Sequence, residues 1–188
     1  MIGKILRSCV AVVVMCAMCT TVLAAEMVDN PRYLDWSKYK PGTFIKMQST
    51  TVAGGQNIKS TITTTLKEVT ADKLMLEMKT SMAIPGIPAQ ETSTMMTEPS
   101  KIEKAKIKPT TPEEMPNCKI LNKGTEDLKI GDKTYKCNWY EMETEQQGMK
   151  MTSKYWTCND VLGKAVKMEA KMTGTDTSMV LVEFKVVK

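Results

Sequence analysis

The segment from Lys133 to Cys158 constrains the fold most, because its side chains match one another across a turn. Two strand-like runs flank Gln147-Gly148, and Gly accepts the positive φ that a two-residue hairpin turn requires. Pairing outward from this turn brings residues of like or complementary kind opposite one another. The pairs are Glu145 with Lys150, Glu141 with Lys154, Tyr140 with Tyr155, Trp139 with Trp156, and Cys137 with Cys158. The sequence therefore predicts an antiparallel hairpin of fixed register and a disulfide between Cys137 and Cys158.

Most of the remaining chain also alternates apolar and polar residues with the period of a half-buried strand. Such runs lie near 43–48, 58–69, 73–82, 90–97, 165–172 and 179–187, separated by turn residues such as Ala53 to Asn57. Asn30-Pro31 is typical of a helix start, and Pro41-Gly42 ends that helix. The Pro- and Lys-rich stretch near 99–117 is interpreted as a surface connection, with 100–107 as either a helical turn or a charged edge strand. The predicted fold class is mainly β, with a short N-terminal helix.

The first 24 residues have the pattern of a secretory signal peptide. Lys4 and Arg7 precede an apolar run of 11 residues, Cys9 to Cys19, and small residues follow up to Ala24. This run is shorter than the roughly 20 residues of a membrane span. We expect cleavage near Ala24, no integral span afterwards, and one exported domain over 25–188 in the periplasm or outside the cell. That compartment is oxidising, so disulfides persist there. If Cys137 and Cys158 form one, Cys118 is left without an intramolecular partner.

Composition argues against several functions. The chain has no His, which removes the usual general base and the usual zinc ligand. A net charge of +5, spread evenly, does not indicate nucleic-acid binding. Glu141, Glu143 and Glu145 alternate along one strand face and are interpreted as a solvated face rather than a catalytic pair. We expect no enzymatic activity, no cofactor and no metal site. Methionine pairs such as Met95-Met96 leave Cu(I) binding open as a minor alternative.

Several segments resemble the bacterial secreted proteins of the LolA-like superfamily, named after a carrier of lipoproteins. The segments that carry the resemblance are Asn30-Pro31 with Trp36, Pro41-Gly42-Thr43, Lys154-Tyr155-Trp156, Asp160 to Gly163, and Ala165 to Glu169. The resemblance is one of architecture and covers most of residues 42–188. It implies a single curved antiparallel sheet, a half-barrel, whose concave face binds acyl chains. The arginine that matters inside the cavity of the carrier has no counterpart here, because Arg32 precedes the sheet.

Strand alternation nominates the residues that would line such a concave face. The candidate cavity residues are Ile45, Met47, Ile62, Leu66, Leu74, Leu76, Met78, Trp139, Trp156 and Met168. The same phase nominates Val166 and Met172 in one late strand and Val180, Val182 and Phe184 in the last.

Three hypotheses follow. The protein binds a lipid or another apolar molecule, or it is an envelope protein with a structural or protein-binding role, or it binds copper. Two interpretations of Trp139 and Trp156 remain open: they only stabilise the fold, or they also line the mouth of the cavity.

Overall fold

The computed structural model describes residues 25–107, 109, 112–115, 118–146 and 149–187. The expected signal peptide and the turn Gln147-Gly148 lie outside these residues. Strands dominate, as predicted, and single 3₁₀ turns occupy Lys104–Lys106 and Pro112–Glu114. The other elements, in chain order, are β1 (Met27–Asp29), α1 (Pro31–Trp36), β2 (Phe44–Ala53), β3 (Gln56–Val69), β4 (Lys73–Ala83), β5 (Gln90–Pro99), β6 (Lys101–Glu103), β7 (Cys118–Ile130), β8 (Lys133–Gln146), β9 (Met149–Thr157), β10 (Ala165–Met172) and β11 (Thr175–Lys185).

Nine of these strands form one antiparallel sheet in the order β5-β4-β3-β2-β11-β10-β9-β8-β7. The first and last strands of the order, β5 and β7, are its edges among the described residues. β1 and β6 pair separately. The sheet joins an early group of hairpins to a late group through β2 and β11, so the two ends of the domain meet in its middle. The predicted mainly β, antiparallel fold is confirmed.

The sheet is strongly curved. β11 and β7 are four strand spacings apart in the sheet order, which in a flat sheet would separate them by about 19 Å. Residues of these two strands nevertheless have Cα atoms within 8 Å of one another. The late half of the sheet must therefore curl, and this curl encloses apolar side chains of β7 to β11.

The register predicted for the β8–β9 hairpin is confirmed. Trp139 lies opposite Trp156, Tyr140 opposite Tyr155, and Glu141 opposite Lys154, and the pairing continues to Gln146 and Met149. The predicted turn residues lie between the last paired residues, outside the described part of the chain. Complementary pairs along the whole ladder fix this register, because a slip of one residue would move every side chain to the other face.

Four register shifts interrupt the alternation that the sequence predicts, and two of them lie in the late strands β10 and β11. In β11 the pairing with β2 shifts between Leu181 and Glu183, so that Val182 is the extra residue. As a result Leu181 is 1% exposed and Val182 is 38% exposed, although alternation placed Val182 in the core. That prediction was wrong for Val182, whereas Phe184 packs in the core because the bulge restores its phase. A second bulge, between Ala165 and Lys167, accompanies the burial of Val166.

Helix α1 is short but well anchored. The side chain of Asn30 accepts a hydrogen bond from the backbone N–H of Arg32 at 3.0 Å and so caps the helix, and Pro31 occupies the first turn. Arg32 forms an ion pair with Glu98 at 2.9 Å. The hydroxyl of Tyr33 donates to the carbonyl of Thr70 at 2.7 Å. These contacts hold α1 over the ends of β3, β4 and β5.

The core consists of two apolar clusters. The first lies within the curl and includes Met47, Cys137, Trp156, Cys158, Val161, Val166 and Leu181. The second lies under α1 and includes Trp36, Leu66, Leu74, Leu76 and Leu162. Ile45 and Phe184 pack against both clusters, so one continuous core joins the two parts of the sheet.

Candidate functional site

One face of the sheet is uncharged over most of its width. Directly paired residues share a face, and residues two apart along a strand do so as well. Following the pairs outward from Met47 through β2, β3, β4, β11, β10, β9 and β8 meets one charged residue, Lys136, which lies two residues before Asn138 near the start of β8. The opposite face of the same strands carries Lys59, Lys79, Lys154, Glu169 and further charged residues.

A methionine–tyrosine face forms the late half of this uncharged surface; we define it by Tyr140, Met142, Tyr155, Met168 and Met179. The pairs Tyr140–Tyr155, Tyr155–Met168 and Met168–Met179 make one row across β8 to β11, and Met142 starts the next row. Met142 is buried, while the other four side chains are partly exposed. Burial raises the pKa of the Tyr155 hydroxyl, so this group is neutral at physiological pH. The row offers polarisable apolar surface and two phenols to a ligand.

Eight of the ten candidate cavity residues lie on this same uncharged side, and five of them are outside the leucine cluster under α1. Met47 pairs with Ile62, Ile45 and Met78 both pair with Thr64, and Met168 pairs with Met179. Ile62, Met78 and Met168 are partly exposed and so remain available for contact. The sequence reasoning overlooked Met142, Met179, Tyr140 and Tyr155 as surface candidates. The signal that could have found Met179 is its position opposite Met168 across the last turn.

Leu66, Leu74 and Leu76 are on the same side but belong to the filled core. All three are fully buried, and Trp36 of α1 and Leu162 of the 158–164 loop pack against them. Side chains of the protein itself thus occupy the space next to these leucines. A ligand on the uncharged face would therefore lie beside β8 to β11 rather than beneath α1.

Trp139 and Trp156 are held by their own neighbours. The Lys154 ammonium lies 4.3 Å from the ring centre of Trp139 and 4.7 Å from that of Trp156, and the Lys167 ammonium lies 4.6 Å from the latter. The Trp156 indole N–H donates to Glu126 at 2.9 Å. Met168 pairs with Tyr155, so the tyrosine rather than Trp156 continues the row of the methionine–tyrosine face. This arrangement favours the stabilising role for both tryptophans.

The disulfide predicted between Cys137 and Cys158 is not present. Both residues are buried as free thiols, even though the β8–β9 register brings them side by side. The Cys137 thiol donates to the Tyr135 carbonyl at 3.4 Å and is also in contact with the Cys158 thiol. Burial, and then the neighbouring Cys158, raise the pKa of Cys137 to about 11. The predicted register is confirmed, whereas the structure gives no support for the predicted disulfide.

Cys118 has the surroundings of an unreactive thiol. It is half-buried at the start of β7 and donates to the sulfur of Met142 at 3.4 Å. Burial raises the pKa of the Cys118 thiol, which lowers the fraction of nucleophilic thiolate at neutral pH. The acidic residues of β8 face lysines: Glu143 lies 3.5 Å from Lys150, and Glu141 is opposite Lys154. These groups have the environment of a solvated strand face.

A small cavity lies between α1 and the loop that connects β9 to β10. Its volume is about 60 Å³, and Asp35, Tyr39, Val161 and Leu162 are among the residues that line it. Ligand sites for drug-sized molecules are roughly 300–1,000 Å³, so this cavity admits only water or a similarly small molecule.

Within the described residues, no helix is long and apolar enough to cross a membrane.

No protein-family model matches the chain, and no curated protein matches it in sequence. Solved structures do show similarity. A protein described as exported, with a YmcC-like fold, from Bacteroides fragilis has 12% identity and a TM-score of 0.40, covering 86% of this chain and 100% of its own. A DUF1329 family protein from Desulfovibrio piger has 8% identity and a TM-score of 0.31, covering 82% and 89%. Similarity at this level identifies no family for the chain, and membership of the LolA-like superfamily stays a prediction.

Proposed function

We propose that this protein is an exported, non-enzymatic binding protein that holds a lipid or another apolar molecule against its methionine–tyrosine face. The observation that carries the proposal is the difference between the two faces of the sheet. From β4 to β8 one face has a single charged residue, Lys136 near the start of β8, whereas the other carries lysines and glutamates on the same strands. A sheet face that only meets water would carry charged side chains beside the Ser and Thr residues found here, as the opposite face does.

The side chains of this face suit an apolar ligand of variable shape. Met168, Met179 and Met142 are unbranched and polarisable, and they adapt to irregular surfaces. Tyr140 and Tyr155 add flat apolar surface with a hydroxyl at its edge. The chain has no His, and the carboxylates of β8 face lysines. The tyrosine hydroxyls of this face therefore have no evident partner for acid–base catalysis. Binding without turnover is therefore the activity that we propose.

Uptake of a fluorescent fatty acid by the purified protein tests this function. Replacing Met168 by Lys puts a charge into the centre of the row, and we expect uptake to fall at least tenfold, because burying an unpaired ammonium costs several kcal/mol. Thr152→Lys is the matched control, since Thr152 is exposed and lies on the charged face of β9. Equal uptake by both variants, or no uptake by the unmodified protein, would refute ligand binding at this face.

A second candidate is a structural or protein-binding envelope protein without a small ligand. The dense packing of Leu66, Leu74 and Leu76 by Trp36 and Leu162 favours this alternative, because it shows that part of the uncharged side serves as core. Lipid extraction of the purified protein followed by mass spectrometry separates the two candidates. Acyl species in stoichiometric amount support the carrier function, and their absence supports the structural role.

A further inference from the structure

Three described hairpin turns lie side by side at one end of the sheet. They join β2 to β3, β4 to β5, and β10 to β11. In the sheet order these hairpins are consecutive neighbours, and each contributes two strands, so their tips are about 10 Å apart. They form a row of separate protrusions rather than one flat patch. We call them the tip row, defined by residues 52–57, 82–90 and 172–175.

The tip row is uncharged and exposes large apolar side chains. No Asp, Glu, Lys or Arg occurs in its three segments. Val52 is 40% exposed, Met82 38%, Ile87 49% and Met172 39%. The turns at the opposite end of the sheet have the ordinary composition of surface turns, with Asp72, Asp132 and Asp160. Apolar exposure on three neighbouring turns indicates that the tip row contacts something apolar. At the same end of the sheet, the adjacent β8–β9 hairpin carries the exposed charged pair Glu145 and Lys150, so the uncharged row ends there.

A lipid surface fits this geometry better than a protein does. The tips carry one or two apolar side chains each, on turns that contain Gly54-Gly55, Pro85-Gly86 and Gly174. Separate protrusions leave gaps that a rigid protein partner must fill with matching shape. Lipid headgroups and acyl chains are fluid and close around each tip, and they accept uncharged apolar groups at the interface. Lys59, which lies opposite Ala83 just behind the tips, is placed to meet lipid phosphates.

The tip row is also continuous with the proposed binding surface. Met82 pairs with Ser60 and is in the row of Met168 and Met179, and Met172 lies four residues beyond Met168 on the same side of β10. From these contacts we infer that the tip row docks on the surface of a lipid bilayer, with Val52, Met82, Ile87 and Met172 in the headgroup region. This inference rests on the proposed function, because docking would bring the open end of the methionine–tyrosine face against the lipids.

Flotation with vesicles of phosphatidylcholine tests the docking. The protein is expressed from the full chain, and the N-terminus of every variant is checked by mass spectrometry so that all variants share it. Ile87→Asp should bind vesicles at least tenfold more weakly, because a charge replaces an apolar group at the interface. Leu34→Asp adds the same charge at an exposed position on α1, at the other end of the sheet, and should bind like the unmodified protein. Circular dichroism confirms that each variant is folded.

Several outcomes would overturn the inference. The inference is wrong if the unmodified protein does not float with the vesicles, or if Ile87→Asp floats as well as the unmodified protein. It is also wrong if Leu34→Asp loses as much binding as Ile87→Asp. A dimer without lipid that Ile87→Asp dissociates, with no flotation, would show that a second copy covers the tips. Fatty-acid uptake from solution, measured on the same samples, keeps the proposed function separate. Uptake without flotation refutes only the docking, and flotation without uptake refutes only the ligand binding.

Discussion

At the scale of single residues, Gly124 is tied to Trp139 by a close approach. The two residues are opposite each other in the β7–β8 pair, and a Cβ at position 124 would lie 2.9 Å from the Trp139 ring. The indole therefore lies flat against the backbone of β7. The ammonium of Lys154 covers its other side. Glycine in this edge strand is required by packing, although glycine generally weakens strands.

Gly124→Ala should consequently lower the free energy of unfolding by about 1–3 kcal/mol, the usual cost of overpacking. Denaturation with urea, followed by tryptophan fluorescence, measures it. Thr125→Ala, a neighbouring exposed position, should change stability by less than about 0.5 kcal/mol. If the two variants unfold at the same urea concentration, the contact between ring and backbone does not hold Trp139 in place.

The buried thiol of Cys137 makes stability depend on pH in the alkaline range. Its pKa is raised from 9.0 to about 11, so the folded state keeps the proton that the unfolded state releases. This stabilisation is complete below pH 9.0 and is lost as the pH rises through about 11. Linkage gives a total of about 3 kcal/mol. Unfolding free energies measured in reductant across this range should fall less steeply for Cys137→Ala than for Cys118→Ala.

Two results would contradict this view of the cysteine pair. Equal slopes for both variants would mean that the pKa of Cys137 is raised no more than the pKa of Cys118. A mass two hydrogen atoms lower in unreduced protein would show the bond that the sequence predicts and the structure lacks.

At the scale of elements, Asn30 links α1 to the end of β5. Besides capping the helix, its buried amide donates to the Pro99 carbonyl at 2.9 Å and to Glu98 at 3.3 Å. Loss of a cap costs about 1 kcal/mol, and loss of the buried hydrogen bonds adds a similar amount. Asn30→Ala should therefore lower the free energy of unfolding by about 2 kcal/mol in thermal denaturation. Ser37→Ala, which removes a side chain with no capping bond at the other end of α1, should have little effect, and an equal loss would refute the special role of Asn30.

The elements also show what a sequence can and cannot predict. The β8–β9 register follows from the sequence because complementary side chains are adjacent across one turn. The bulge at Val182 does not, because period-two alternation contains no information about an inserted residue. The start of β7 at Cys118 does not follow from the sequence either, because its Lys, Asn and Gly residues are typical of both an edge strand and a loop. The uncharged face follows from alternation, whereas its filling by Trp36 and Leu162 depends on contacts between distant segments.

At the scale of the whole molecule, the uncharged face and the tip row need both halves of the sheet. The early half supplies β2 to β5 and the late half supplies β7 to β11, and they join at the β2–β11 pair. Ile45 and Phe184, which lie opposite each other at this junction, pack against both apolar clusters. Docking of the halves and formation of the core are therefore one event, and a binding surface that crosses the junction exists only in the fully folded domain.

This architecture predicts a single cooperative unfolding transition, as small single domains usually show. The tryptophans allow each cluster to be followed separately, since Trp36 is in the cluster under α1 and Trp156, with Trp139, is in the cluster within the curl. Trp36→Phe leaves reporters only in the curl, and the double variant Trp139→Phe with Trp156→Phe leaves one only under α1. In each variant, tryptophan fluorescence and far-ultraviolet circular dichroism should give the same urea midpoint. A fluorescence midpoint that departs from the circular dichroism midpoint in either variant would show that the halves unfold independently, and Ile45 and Phe184 would then not couple them.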